Sequence, residues 1–160
     1  SQVTALGFYD LMKTFGLLDN YIPLIVPTIA APVVYFFMLQ YMQGSLPLEI
    51  VEAARIDGSN EFKTFNAIVL PIMKPAIATQ AIFAFVSNWN NYFTPNLIIR
   101  SQKLFTLPIV IAKLRAADFT SFDNGKIYMA MVLSILPVVV VYLILSRYII
   151  QGVAVGSVKG

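Results

Sequence analysis

Glu52-Ala53-Ala54-Arg55-Ile56-Asp57-Gly58 is a charged, helix-favouring island, and nine residues after its glycine the chain reads Ile68-Val69-Leu70-Pro71. Both flanks are apolar enough to sit in lipid. A polar island between such flanks is built to meet something outside the membrane. The composition agrees: 58% of the 160 residues are hydrophobic, 12% are charged, and mean hydropathy is +0.76. A soluble domain carries about 25% charged residues and about 45–50% apolar ones. These charges are too few to cover a soluble surface, and the expected class is an all-α, polytopic transmembrane bundle.

Three spans are expected. Residues 21–42 carry no charge, long enough as a helix to cross a bilayer of roughly 30 Å. Pro23, Pro27 and Pro32 interrupt them. Inside a soluble helix each interior proline costs about 3 kcal/mol; in a bundle, neighbouring helices satisfy the freed carbonyls, so a kinked span is expected. Residues 71–89 form the second, with Lys74 near one end, where its stem can snorkel. Residues 127–147 form the third, bounded by Lys126 and Arg147, with Tyr128, Tyr142 and Tyr148 near its ends as interfacial aromatics. The hook thus occupies 44–70, a polar connection 90–126 and a tail 148–160. Residues 106–116 suit a short amphipathic surface helix.

Within the island a helix is expected to begin at Ser45 or Leu46, with Pro47 in its first turn, where a missing N–H costs little. Glu49 and Glu52 then lie near the positive end of the helix dipole. Leu48, Val51, Ala54 and Arg55 share a face, and Ala53 and Ala54 keep the helix surface low. Gly58 suits the left-handed position that closes a helix, and a second helix over 59–69 leads back to the membrane. Such a hook either packs on its own bundle or docks a partner.

Other classes are excluded. The chain has no Cys and no His, which rules out disulfides, imidazole or thiolate metal sites and Ser-His or Cys-His catalysis. No catalytic or metal-binding residue is expected. A net charge of +3, dispersed along the chain, does not point to nucleic acid. No Gly-x-x-x-x-Gly-Lys-Ser/Thr is present, so the chain lacks a P-loop. No Asp or Glu lies in the apolar runs, where ion-driven carriers usually keep them. Lys and Arg fall six to one side of the membrane and five to the other, so charge does not set orientation. The start at Ser1, with no leader-like segment, reads as processing or as a piece of a longer polypeptide, the latter favoured.

Glu-Ala-Ala, three residues, Gly, nine residues, Ile-x-Leu-Pro resembles, without a gap, the EAA signature of permease subunits in binding-protein-dependent ABC importers. Glu52 to Gly58 is most similar to the carbohydrate-importing, maltose-type branch. Ser87-Asn88-Trp89-Asn90-Asn91-Tyr92-Phe93 resembles the Trp-Asn-Asp/Glu-Phe run of that branch, with Asn91 in place of the acid. Thr106-Leu107-Pro108 matches its Thr-Leu-Pro, and Gln151-Gly152 with Gly156-Ser157-Val158-Lys159-Gly160 resembles its ending. The likeness covers nearly the whole chain. Family members usually have six spans, and this chain looks like the last three.

The resemblance implies the type I ABC importer permease fold and a place in a prokaryotic cytoplasmic membrane, with hook and tail inside and 90–126 outside. It implies that the hook couples to a cytoplasmic ATPase dimer: Glu52 as the polar contact, Ala53 and Ala54 permitting close approach, Gly58 shaping the turn, with Arg55 and Asp57 beside them. It further implies a second permease subunit, an extracytoplasmic solute-binding protein and surrounding lipid as partners. ATP and magnesium would belong to the ATPase, with no cofactor in this chain. The cargo expected is a sugar; glycerol phosphate, an amino acid, a peptide, or a non-transporting assembly role are the alternatives. Asn88, Trp89, Asn90, Asn91 and Tyr92 either face solute or form an interfacial belt, and Gln80 either faces solute or bonds a neighbouring helix.

Overall fold

A computed structural model describes residues 2–117 and 124–156. Every element among them is helical: α1 (Gln2–Thr14), α2 (Ile22–Ile29), α3 (Pro32–Ser45), α4 (Leu48–Ile56), α5 (Glu61–Thr64), α6 (Leu70–Trp89), α7 (Phe93–Ile98), α8 (Leu107–Ala117) and α9 (Asn124–Gly156). A π-helical turn, Phe65–Val69, joins α5 to α6, and a 3₁₀ turn, Gln102–Leu104, precedes α8. Parts of the connection and the tail lie outside the described residues, as do the tail's last four residues, which carry much of its resemblance.

Three stretches are long and apolar enough to cross a membrane: Ile22–Ser45, Glu61–Trp89 and Gly125–Tyr148, of 24, 29 and 24 residues. The most apolar window of the third has no buried residue. A helix greasy all round and bare all round needs lipid or other helices for cover. The first differs from the single kinked span expected. It is two helices, because α2 stops at Ile29, Ala30 leaves helical geometry (φ −101°, ψ 75°) and Pro32 opens α3. A proline disfavours helical backbone in the residue before it, and at the first position of a new helix its missing N–H costs nothing.

The chain forms two compact units, Ser1–Ala31 with Val86–Val139, and Pro32–Phe85 with Val140–Gly160. In the first, Ile98 and Ile109 are fully buried, and Met12, Pro23, Pro95 and Ile99 are buried with them. In the second, α6 buries Met73, Ala76, Ala78 and Ile82. There α3 and the start of α6 line an apolar cavity of about 280 Å³, with Met38, Met42 and Met73 among its walls.

Helices α1 and α7 and the 3₁₀ turn have no counterpart in the sequence reading. Helix α1 closes on Gly16 (φ +66°): Gly16 N–H donates to Lys13 O (3.1 Å) and Leu17 N–H to Met12 O (2.9 Å). That pair of bonds is the Schellman motif. The amphipathic helix expected over 106–116 is α8, with Ile109 as its inward anchor.

Candidate coupling hook and cavities near the end of α6

Pro47 is extended (φ −64°, ψ 125°) and stands just before α4, so the hook's first helix starts at Leu48 and not at Ser45 or Leu46. Proline's fixed φ suits that extended position, and Glu49 falls in the first turn, where the helix dipole favours it. The helix ends on Gly58 (φ +78°): Gly58 N–H donates to Arg55 O (3.0 Å) and Ser59 N–H to Ala54 O (2.9 Å). This is a second Schellman closure. A Cβ on Gly58 would meet nothing within 4 Å, so glycine is required for its backbone conformation and not for space.

The return arm is capped by Asn60, whose side-chain oxygen accepts from Lys63 N–H (2.8 Å). Thr64, only 2% exposed, donates its hydroxyl to Ser59 Oγ (3.0 Å). Arg55 Nε donates to Glu61 Oε1 (2.8 Å), tying the two arms together at the surface. The hydrogen bond from Arg55, and then the charge of Glu61, raise the guanidinium pKa above its ordinary value.

The second arm is not a separate helix over 59–69. It runs through the π turn straight into α6. The wide turn precedes Pro71, which has no N–H to give and whose ring would crowd the carbonyl four residues back in a regular helix.

The alanines divide. Ala54 is buried (8% exposed), while Ala53 is exposed. The resemblance put both alanines at a partner's surface; in this chain Ala53 lies at the open surface and Ala54 does not. On the face opposite Ala54, helical spacing aligns Glu49, Glu52 and Ile56, all exposed, Ile56 to 86%. Asp57 is exposed beside them.

The expected solute-facing residues do not form one cluster. Gln80, nine residues before Trp89 on α6, lies roughly 13 Å along the helix, half-buried, with no side-chain hydrogen bond among the described residues. Asn88 and Asn91 line a mostly apolar cavity of about 690 Å³ with Phe8, Pro23, Pro27 and Thr106. The hydroxyl of Thr106 is buried without a hydrogen-bond partner. Trp89, Asn90 and Tyr92 line a different cavity of about 260 Å³ with Ile111, Arg115 and Ser134. Trp89 Nε1 donates to Ser134 O (2.9 Å), which fixes the indole.

Sequence reasoning also missed Asp19. In left-handed backbone (φ +59°), which short polar residues tolerate, its carboxylate accepts from the Ser101 hydroxyl, from Ser101 N–H (2.8 Å) and from Arg100 N–H (2.9 Å). Those bonds, led by the Ser101 hydroxyl, lower its pKa. Arg100 also donates to the Tyr9 hydroxyl and lies over that ring, and Tyr21 donates to Leu104 O (3.0 Å).

Residues 2–155 match the family described as the inner membrane component of binding-protein-dependent transport systems. The chain belongs to that family. Among curated inner membrane components it is 38% identical to the arabinooligosaccharides transport system permease AraQ of Halalkalibacterium halodurans, over 99% of this chain and 56% of that protein. It is 32% identical to the lactose transport system permease LacG of Rhizobium radiobacter (94% and 54%). It is 28% identical to the trehalose/maltose permease MalG of Thermococcus litoralis (99% and 58%). The chain therefore spans about half the length of these relatives. Its fold resembles that in the crystal structure of a bacterial ABC transporter that imports the acidic polysaccharide alginate, with a TM-score of 0.76 at 24% identity over 89% of this chain and 55% of that one. The fold is accordingly that of an ABC importer permease, and the chain is a membrane protein.

Proposed function

We propose that this chain is part of a permease subunit of an ATP-driven sugar importer, and that residues 48–64 are the handle by which a cytoplasmic ATPase moves the membrane helices. The observation that carries the reading is the hook's self-sufficiency. Two backbone bonds, one side-chain cap and a hydroxyl bond from buried Thr64 hold it together within residues 54–64. It needs no neighbour to keep its shape, yet it leaves Glu49, Glu52, Ala53 and Ile56 open. An exposed isoleucine flanked by carboxylates, with an alanine for close approach, suits a groove with an apolar floor and a cationic or N–H-rich rim.

Rigidity matters because a handle transmits displacement only if it does not bend. The return arm runs without a break into α6, so force applied at the turn reaches a membrane-crossing helix directly. With no P-loop in its sequence, the chain leaves nucleotide and magnesium to the ATPase. The curated relatives named for sugar transport favour a sugar as cargo. By the family's logic, a second permease and an extracytoplasmic binding protein complete the machine in a prokaryotic cytoplasmic membrane.

Gly58→Leu in the assembled transporter tests this. ATP-dependent uptake should fall to background while membrane insertion persists, with the ATPase either released or hydrolysing without transport. Normal uptake with the ATPase still bound would contradict the coupling role.

A further inference from the structure

The two cavities beside the end of α6 differ in chemistry. The larger is mostly apolar, with phenylalanine, leucine, isoleucine and proline side chains around four threonines and two asparagines spread over its wall, and it has no charged group and no indole or phenol on which a sugar ring could stack. The smaller, about 260 Å³, is the size of a single sugar ring and offers both polar groups and an aromatic face. Trp89 is held by Ser134 O at 2.9 Å, so its ring is positioned before any ligand arrives. Asn90 gives its amide N–H to Val86 O (2.9 Å), which leaves its side-chain carbonyl as an acceptor. The Tyr92 hydroxyl and the Arg115 guanidinium have no hydrogen-bond partner among the described residues, and both side chains line the cavity.

The connection 90–126 carries Arg100, Lys103, Lys113, Arg115 and Lys126 against two acids, Asp118 and Asp123. Arg100 and Lys113 lie over the rings of Tyr9 and Phe105. Among the described residues Arg115 lies over no ring. A planar fork of N–H donors beside an indole, a phenol and an amide oxygen suits one sugar ring, stacked on the aromatic face, with two adjacent ring oxygens on the guanidinium.

We infer that Trp89, Asn90, Tyr92 and Arg115 form a one-ring saccharide subsite, with Arg115 as its specificity-determining residue. The inference rests on the sugar-import reading and assigns the sugar to this cavity, excluding the larger one with Asn88 and Asn91. The oxygens that Arg115 takes are either two vicinal hydroxyls or one carboxylate.

Two measurements test it in the permease assembled with its partner subunits. The first is uptake kinetics in proteoliposomes. Arg115→Met should raise KM about tenfold, and Tyr92→Phe about threefold, the change falling on KM rather than on Vmax. Arg115→Lys keeps the charge and loses the fork, so it should rescue a carboxylate-bearing ring and not a neutral one. An unchanged KM in Arg115→Met overturns the proposal, and so does a fall in Vmax alone, which marks a structural role.

The second needs no transport. The chain has no native cysteine, so Ala112→Cys places a single thiol at the cavity. Millimolar arabinotriose or trigalacturonate should slow its reaction with a maleimide, and whichever protects identifies the hydroxyl pair or the carboxylate. Protection by neither overturns the subsite. Protection without ATP-dependent uptake upholds the subsite and removes the importer reading instead.

Discussion

The hook and the Asp19 junction are both turns held by hydrogen bonds to backbone N–H groups, yet they are assembled in opposite ways. Every bond that shapes the hook joins residues at most six apart. At the Asp19 junction the partners lie 79 to 91 residues apart. A locally closed turn forms wherever its few residues go and can serve as a rigid projection. A remotely closed one exists only once the first unit has folded around it, and so reports the integrity of that unit. The comparison separates a turn that closes on its own residues from one that closes only with the rest of its unit.

The largest break in the comparison should come at Gly58. Leucine there must adopt left-handed backbone at a cost of about 1–2 kcal/mol, with no steric clash to add. Thermal unfolding in detergent should show that loss for Gly58→Leu and a smaller one for Gly58→Asn, because asparagine tolerates the conformation. Equal losses would mean that something other than φ is at stake.

Asp19→Ala should have the next largest effect, and a remote one. It removes all the acceptors for Arg100 N–H and Ser101 N–H together, so exchange of those two amides should rise by at least about tenfold. Exchange at Gly58 and Ser59 should not change. If the hook amides respond too, the hook is not closed on its own.

Acid should act on the same difference. The Asp19 carboxyl is held below its ordinary range, first by the Ser101 hydroxyl and then by the Ser101 and Arg100 amides. A depressed carboxylate stabilises fully above the unfolded value of about 3.9 and ceases to as pH falls through the lowered one. Protection at Arg100 and Ser101, corrected for intrinsic exchange, should therefore be flat from pH 7 to about 4 and fall below that. The Schellman amides of the hook, whose acceptors are backbone carbonyls, should keep theirs.

Asn60→Ala removes one N-cap and should cost about 1 kcal/mol. Smallest of all, Arg55→Ala should leave stability within experimental error, since its ion pair with Glu61 is more than half exposed on both sides.

The same contrast explains what could be read in advance. The island, its closing glycine and the three apolar stretches are signals carried by neighbouring residues, and each has a helical counterpart at nearly the expected place. Pro32 divided the first stretch instead of kinking it, because a proline can open a helix as readily as bend one. Nothing near Asp19 marks it as an acceptor for residues 100 and 101. Likewise Arg115 and Ser134 stand 26 and 45 positions after Trp89, and no local pattern ties them to it. Ala54 was legible as small but not as buried, because burial depends on what the fold packs against it.

The handle itself is tested most directly by a single cysteine at its open edge, Ala53→Cys, in the assembled transporter with a membrane-impermeant maleimide. The account predicts labelling in inside-out vesicles stripped of ATPase, none in intact cells, and protection once the ATPase is restored. Labelling from outside intact cells, or equal labelling with and without the bound ATPase, would contradict it.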